Sequence, residues 1–476
     1  MSRLEKEPFY WAYMSNRSLI RRRVVSLEDK KEMFTNTINH LTNWQNKNSV
    51  FRDIKLTDMR RYLFFEDFQN FIYNLYTTTT GIQLTSLKQF IDEDSICRLN
   101  STCYSNRNIL FNLGLDVDKI SSIVRHINVE GNKVRRKKPK VHTLTDIDDT
   151  VFVGGAGGTD STYNKHIFYP GVSRFHKEIN TTGLISYLSA RPGLGVASFS
   201  EEKQKEKFNQ YYRNKEMPYK AHMLLGNITG IYEGWLGKAE DLFAKKLDIL
   251  TSSIIPYVSS PESLENIINL KLVANICDMK VADIERLIPK NMWTDTYKRF
   301  GLNKYISFCE FATIYPEYDF MFIGDSGQGD ILAALLISKH PRNKACFIRD
   351  IIRKQRTHVS RGEDKAVWKL GLVNPSLKSE LEMNNVFVFN NYIQAAMILN
   401  SIDPTLCSKT KVQKIARSAH NEFFNIKDNR DIFKNIEWLA AYKEREIVRD
   451  FECAIYGEIS DGLKDSTYSC AELRRQ

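Results

Sequence analysis

The chain lacks cysteines at paired spacing. Its eight (Cys97, Cys103, Cys277, Cys309, Cys346, Cys407, Cys453 and Cys470) show no Cys-x-x-Cys spacing, which argues against a zinc site and against a disulfide framework. Several stand inside apolar runs such as Ala345-Cys346-Phe347-Ile348, so buried reduced thiols are expected. No stretch approaches 18 uninterrupted apolar residues, and the first residues carry Glu5 and Glu7 instead of a charged segment leading into an apolar one. Neither a membrane span nor a secretion signal is expected. The expected location is the cytoplasm, with peripheral membrane contact as the alternative. Internal repeats and low-complexity tracts are also missing.

Positive charge is plentiful. A formal net charge of +11 and a pI near 9.0 favour anionic partners: phosphate esters, an anionic membrane surface or nucleic acid. Charge alone does not choose among them, and nothing else in the chain speaks for nucleic acid. At 476 residues and 42% hydrophobic, the chain is long enough for one core with an appended unit, and two domains are expected.

The densest chemistry lies in Thr143-Leu144-Thr145-Asp146-Ile147-Asp148-Asp149-Thr150. Apolar alternation runs up to Leu144, and three carboxylates then crowd into four positions. Buried carboxylates cost several kcal/mol unless a cation or hydrogen bonds compensate. The pattern therefore predicts a strand that ends in the crevice beyond the carboxyl edge of a parallel sheet, where open α/β folds keep their ligands. One carboxylate, Asp146, is placed to attack an electrophile such as a phosphoryl group. A second, Asp148, is placed to protonate the leaving oxygen and later activate water. In extended chain, positions two apart share a face, so Asp149 points elsewhere. Taken alone, the acidic run also fits a solvated turn.

Two later stretches repeat the design. Asp319-Phe320-Met321-Phe322-Ile323-Gly324-Asp325-Ser326-Gly327-Gln328-Gly329-Asp330 is a short apolar run closed by glycine and acid, followed by the helical pattern Ile331-Leu332-Ala333-Ala334-Leu335-Leu336. Asp325 and Asp330 suit an oxygen shell for Mg²⁺, a hard cation that takes a few carboxylates and keeps several waters. Gly183-Leu184-Ile185-Ser186-Tyr187-Leu188-Ser189-Ala190-Arg191-Pro192 reads as a strand ending in a hydroxyl, a cation and a helix-stopping proline. Ser189 is a candidate donor to a phosphoryl oxygen, and Thr150 and Arg191 are candidate substrate-binding residues.

DIDDT, the strand-terminal LSARP and IGDSGQGD, in that order, resemble the signatures of haloacid dehalogenase (HAD) superfamily phosphatases. The forms DIDDT and GDSGQ, with Pro316 eight residues before Gly324, are similar to the catalytic domain of the actin-patch phosphatidate phosphatase family. Arg349-Asp350 shares that similarity. The likeness covers residues 141–349 with an interruption, and departs at the second motif, where that family more often carries a Ser-Asn-Ser-Pro-Trp-like sequence. It implies a HAD-like Rossmannoid three-layer α/β fold with a parallel sheet and a helical insertion or cap, beside the mostly helical N-terminal region that periodicity predicts. It further implies a lysine about twelve residues before the proline, where Lys304 stands with Lys298 as fallback. The implied activity is Mg²⁺-dependent phosphomonoester hydrolysis through an aspartyl-phosphate. In it Asp146, Asp148, Ser189 and Lys304 are catalytic, and Asp146, the carbonyl of Asp148, Asp325 and Asp330 serve the metal. Phosphatidate is the first substrate expected. The alternatives are a soluble phosphate ester, a nucleotide or a phosphoprotein as substrate, or an inactive HAD-like scaffold that binds membrane or protein. The intact carboxylate set argues against the scaffold.

The expected organisation is a helical region over 1–135, a catalytic core over 136–225 and 298–407 interrupted by a helical insertion at 226–297, and a helical C-terminal region over 408–476. Residues 33–44 and 57–76 have helical periodicity, and Tyr62, Phe64, Phe65, Phe68, Phe71, Ile72 and Leu75 give the second an aromatic face. That face either packs on the catalytic core or meets a membrane or another protein. Two basic clusters, Arg21-Arg22-Arg23 and residues 135–140, read as solvated runs, with membrane-surface or nuclear-import roles as alternatives. For the second, a positive rim to the site is a further option. The glycines of Gly154-Gly155-Ala156-Gly157-Gly158 lack the Gly-Lys-Ser/Thr of a nucleotide phosphate loop and suggest a mobile hairpin flap over the site. Further strands are expected at 221–225, 346–350 and 386–389, with His222 as a core or edge residue and the net-basic segment 352–365 as a loop.

Overall fold

The computed structural model describes residues 26–47, 65–93, 105–112, 116–136, 139–154, 160, 162–163, 167–183, 185–192, 221–226, 295–327, 329–358, 364–370, 373, 375–427 and 437–457. The expected cap at 226–297, apart from its two ends, lies outside these residues. So do Arg21-Arg22-Arg23, Tyr62, Phe64, the middle of the flap and the last nineteen positions.

Six strands form one sheet: β1 (Lys140–Thr145), β2 (Ile185–Pro192), β3 (Ala221–Gly226), β4 (Tyr318–Asp325), β5 (Asn343–Arg349) and, after a separate hairpin of β6 (Ile352–His358) and β7 (Asp364–Leu370), β8 (Val386–Phe389). Their order is β3-β2-β1-β4-β5-β8, and every neighbouring pair is parallel. This is a Rossmann-like α/β sheet. The chain winds outward from β1 in one direction and then returns to place β4 on β1's other side. The carboxyl ends of β1 and β4 therefore flank the point where strand order reverses, the crevice in which open α/β sheets bind ligands.

Parallel sheets are covered on both faces, and alternate residues of β1, β2, β4, β5 and β8 feed two separate cores. Leu144, Phe320, Phe322, Cys346 and Ile348 enter one, while Val141, Met321, Ile323, Ala345 and Phe347 enter the other. In chain order the helices are α1 (Leu27–Lys47), α2 (Phe65–Thr77), α3 (Gly81–Glu93), α4 (Val117–Arg135), α5 (Val172–Ile179), α6 (Asp295–Ile314), α7 (Asp330–Ser338), α8 (Pro375–Met383), α9 (Tyr392–Ile402), α10 (Lys409–Lys427) and α11 (Glu437–Ile455). The first core holds α6, α7 and α8 together with α1 to α4. The second holds α5, α9, α10 and α11.

The aromatic face of α2 is thus turned inward: Phe68, Phe71, Ile72, Leu75 and Tyr76 are buried in the same core as Phe308, Phe311 and Tyr315 of α6 and the turn after it. Packing on the α/β core accounts for that face.

Three expectations need correction. Residues 352–358 are a strand, not a loop, paired antiparallel with 364–370 from Ile352 opposite Leu370 to His358 opposite Asp364. A hairpin supplies its own hydrogen-bonding partner, so it forms without the apolar alternation that a core-facing strand needs. Residues 135–140 lie at the amino end of β1, whereas Asp146 follows its carboxyl end. The described basic ones among them, Arg135, Arg136 and Lys140, are therefore at the sheet edge away from Asp146, and Arg135 is ion-paired to Asp319 at 2.8 Å. Cys309, Cys346 and Cys407 are free and buried as expected, but Cys453 is disulfide-bonded, so the chain is not one of reduced thiols alone. Among the described residues no helix is long and apolar enough to cross a membrane.

Candidate active site

Asp146 is the first residue beyond β1, and its N–H donates to the carbonyl of Ile323 on β4 at 2.8 Å. That bond continues the register in which Thr145 faces Ile323, bringing Asp146 alongside Gly324 and Asp325 at the end of β4. Asp330 opens α7 after Gly329, whose φ of 86° is a left-handed conformation that glycine adopts without strain. The tight turn folds Asp330 back over the strand it has just left: its Oδ2 accepts the backbone N–H of Asp325 at 3.1 Å. Lys304, from the middle of α6, enters from the first core and bridges Asp146 Oδ1 at 2.8 Å and Asp330 Oδ1.

Asp146, Asp325 and Asp330 thereby present carboxylate oxygens within 4.8 Å of one another. All are buried, as is Lys304. One ammonium cannot balance three carboxylates. Burial pushes Asp146 up to about 8, against the pull of Lys304 and with the charges of Asp330 and Asp148 adding to it. Burial and the charges of Asp330, Asp146 and Asp149 raise Asp325 far above the usual carboxylate range. Burial also raises Asp330, though Lys304 opposes it. For Lys304, burial disfavours the charge but its carboxylate neighbours outweigh that and hold the ammonium protonated.

The oxygens that lack partners indicate what fits here. Among the described residues, Asp146 Oδ2 and Asp325 Oδ2 are buried with no hydrogen-bond partner, and such groups are rare without a function. Two unsatisfied, hard oxygen donors of carboxyl groups at a crevice suit a divalent cation, so the residues present fit a metal. Their geometry does not select Mg²⁺ over other hard ions. Both oxygens of Asp330 are already engaged, one by Lys304 and one by the Asp325 N–H, which suits an orienting role.

The other expected residues are placed as follows. Asp148 is half-buried, two residues beyond Asp146 and close enough that its charge raises the pKa of Asp146. Thr150 is buried; its carbonyl accepts from Tyr392 Oη at 2.9 Å, and its Oγ1 has no hydrogen-bond partner. Ser189 and Arg191 lie in the last part of β2, and the register that pairs Thr145 with Tyr187 puts Ser189 at the same sheet edge as Asp146. Their side chains lie outside what is described. The flap begins as expected: Phe152 bridges Phe168 antiparallel, and Val153 donates to Ile167 at 2.9 Å.

Sequence reasoning missed a second buried cluster behind the first, made of Asp149, Asp160, Tyr169 and Arg349. Arg349 and Asp160 form an ion pair at 2.8 Å across 189 positions of chain. Only the acid within the glycine-rich flap and the Arg-Asp step after β5 hinted at it. Ser326 and Asp350 were also missed; they join the loops after β4 and β5 through a 2.9 Å hydrogen bond.

No protein-family model matches the chain, and neither a curated protein nor a solved structure matches it.

Proposed function

We propose that the protein is a phosphomonoester hydrolase of the HAD type, dependent on Mg²⁺ and working through an aspartyl-phosphate on Asp146. The observation that carries the reading is the convergence of Asp146, Asp325, Asp330 and Lys304 at the switch point of the sheet, with an oxygen of Asp146 and one of Asp325 lacking partners. The order of DIDDT, LSARP and IGDSGQGD along the chain supports it independently.

The chemistry assigned to these residues is a two-step displacement. Asp146 attacks phosphorus and forms an O–P bond as the bond to the leaving oxygen breaks, and Asp148 gives its proton to that oxygen. Asp148 then takes a proton from water, whose oxygen attacks phosphorus and releases Asp146 and inorganic phosphate. Lys304 and Ser189 hold phosphoryl oxygens, and Asp330 fixes Lys304. Asp146, Asp325 and the carbonyl of Asp148 would hold Mg²⁺, which would supply positive charge against the negative charge spread over the phosphoryl group, the main demand of phosphoryl transfer.

Phosphatidate is the substrate we put first, on the likeness of DIDDT and GDSGQ to the actin-patch phosphatidate phosphatases. The test measures phosphate release with Mg²⁺ present, from phosphatidate in mixed micelles and from soluble esters in parallel. Turnover of phosphatidate is expected, turnover of soluble esters alone would move the substrate, and turnover of neither would overturn the hydrolase. Asp146→Asn should lower the rate by several orders of magnitude with thermal unfolding intact. An unchanged rate would remove Asp146 as nucleophile.

A further inference from the structure

We propose that Arg349 and Asp160 are positioning residues that set Asp148, the proton donor to the leaving group, by locking the backbone of Asp149 beside it. The inference rests on the phosphatase reading for the role of Asp148, and on hydrogen-bond geometry for the rest.

Asp149 has φ 59°, a left-handed conformation uncommon for residues other than glycine. Such conformations persist where the surroundings over-determine them, and they gather at functional sites. Here the surroundings occupy every polar atom of the residue. Its N–H donates to Phe152 O at 2.8 Å, Oδ1 accepts from Gly154 N at 2.9 Å, and Oδ2 accepts from Asp160 N at 3.1 Å. The carbonyl accepts from Arg349 Nη1 at 3.0 Å. Asp149 is therefore a post around which the first turn of the flap is wound.

The post is held in turn by Arg349 at the end of β5. The same guanidinium pairs with Asp160 Oδ2 at 2.8 Å and lies 3.4 Å over the ring of Tyr169, whose hydroxyl donates to Asp160 Oδ2 at 2.6 Å. The other oxygen of Asp160 accepts from Thr162 N at 2.9 Å and Thr162 Oγ1 at 2.6 Å. A planar, charged donor stacked on one partner and hydrogen-bonded to two others has little freedom. Both arms of the flap, at Gly154 and at Asp160 to Tyr169, thus converge on one rigid strand end. Asp148 occupies the single residue between this locked post and Ile147, which precedes it by one peptide from Asp146. The hydrogen bonds of Asp149 thus fix the peptide that follows Asp148, and with it one end of the backbone from which the Asp148 carboxylate projects.

A role in aiming the acid differs from general support of the fold in its dependence on the leaving group. An alkyl oxygen must be protonated as its bond to phosphorus breaks, whereas a nitrophenolate leaves without a proton. Rates for p-nitrophenyl phosphate and glycerol phosphate are compared in the full chain with Mg²⁺, using Asp148→Asn as the reference. Arg349→Gln is expected to lower the alkyl-to-aryl rate ratio on the order of 100-fold, the usual contribution of a general acid, and Arg349→Lys to restore part of it. Asp160→Asn, nearly isosteric, reads the same ratio should Arg349→Gln not fold. Equal loss on both esters would overturn the proposal. A second measurement needs no turnover: amide hydrogen exchange at Gly154 and Asp160 should quicken in Arg349→Gln while that of β4 and α7 does not. Unchanged exchange would overturn the proposal even if the wild-type chain hydrolysed neither ester, an outcome that would count against the phosphatase reading alone once phosphatidate was also left intact.

Discussion

Gly324 shows how tightly the carboxylates are set. A Cβ built there would lie 2.5 Å from Asp330 Oδ2 and 2.7 Å from its Cβ. The absence of a side chain is what lets Asp330 fold back over the end of β4 and reach both the Asp325 N–H and Lys304. Gly324→Ala should therefore act on function as well as stability. Overpacking of this kind costs about 1–3 kcal/mol, and the displaced Asp330 would free Lys304 to turn away from Asp146. Denaturant unfolding and phosphate release measured on the same variant check both effects. Wild-type values for each would mean that Asp330 can move aside and has no fixed role.

Among elements, α6 ties the molecule together. Lys304 sits in its middle, and its far end is gripped by residues from more than two hundred positions earlier. Lys88 of α3 pairs with Glu317 at 2.8 Å and donates to the terminal carbonyl of Ile314 at 2.7 Å. Thr85 donates to Glu317 at 2.7 Å, Arg107 pairs with Glu310, and Tyr315 donates to Asp92 at 2.6 Å. Removing one partner of a buried pair costs roughly 3–5 kcal/mol because the other charge is stranded. Lys88→Met should destabilise the whole fold by about that amount, and Lys88→Met with Glu317→Gln should recover part of it. A loss confined to the N-terminal helices, with α6 and the sheet unaffected, would show that these helices are an accessory unit.

The same element marks the limit of what the sequence made legible. β1, β4 and α7 could be read because each is a local pattern: an apolar run, a glycine or acid that closes it, then a helical period. The four residues at the switch point followed from those patterns and one resemblance. The joining of 27–135 to α6 could not be read, since Lys88 and Glu317 carry no mark of one another at such separation. The hairpin of β6 and β7 was hidden because Ile352-Arg353-Lys354-Gln355-Arg356-Thr357-His358 has no apolar face. Arg349 and Asp160 were hidden as a pair for the same reason as Lys88 and Glu317.

At the scale of the molecule, a chain with net charge +11 nevertheless buries three acids around one lysine, and this imbalance links cation binding to folding. Without a cation the fold answers by holding protons: Asp146 rises from 3.8 to about 8, and Asp325 and Asp330 rise as well. The unfolded chain gives up those protons near pH 4. As pH climbs from there toward 8, the folded state retains more protons than the unfolded one and loses stability. A divalent cation bound there would take the place of the protons, so its binding should strengthen over the same window. With Mg²⁺ at a hundred times its dissociation constant the gain is about 2.7 kcal/mol. Thermal unfolding of the full chain with Mg²⁺ or with chelator should therefore show a shift that is larger at pH 8 than at pH 6 and absent in Asp325→Asn. A wild-type shift independent of pH would place the cation away from these carboxylates, and no shift at either pH would deny the cluster its metal.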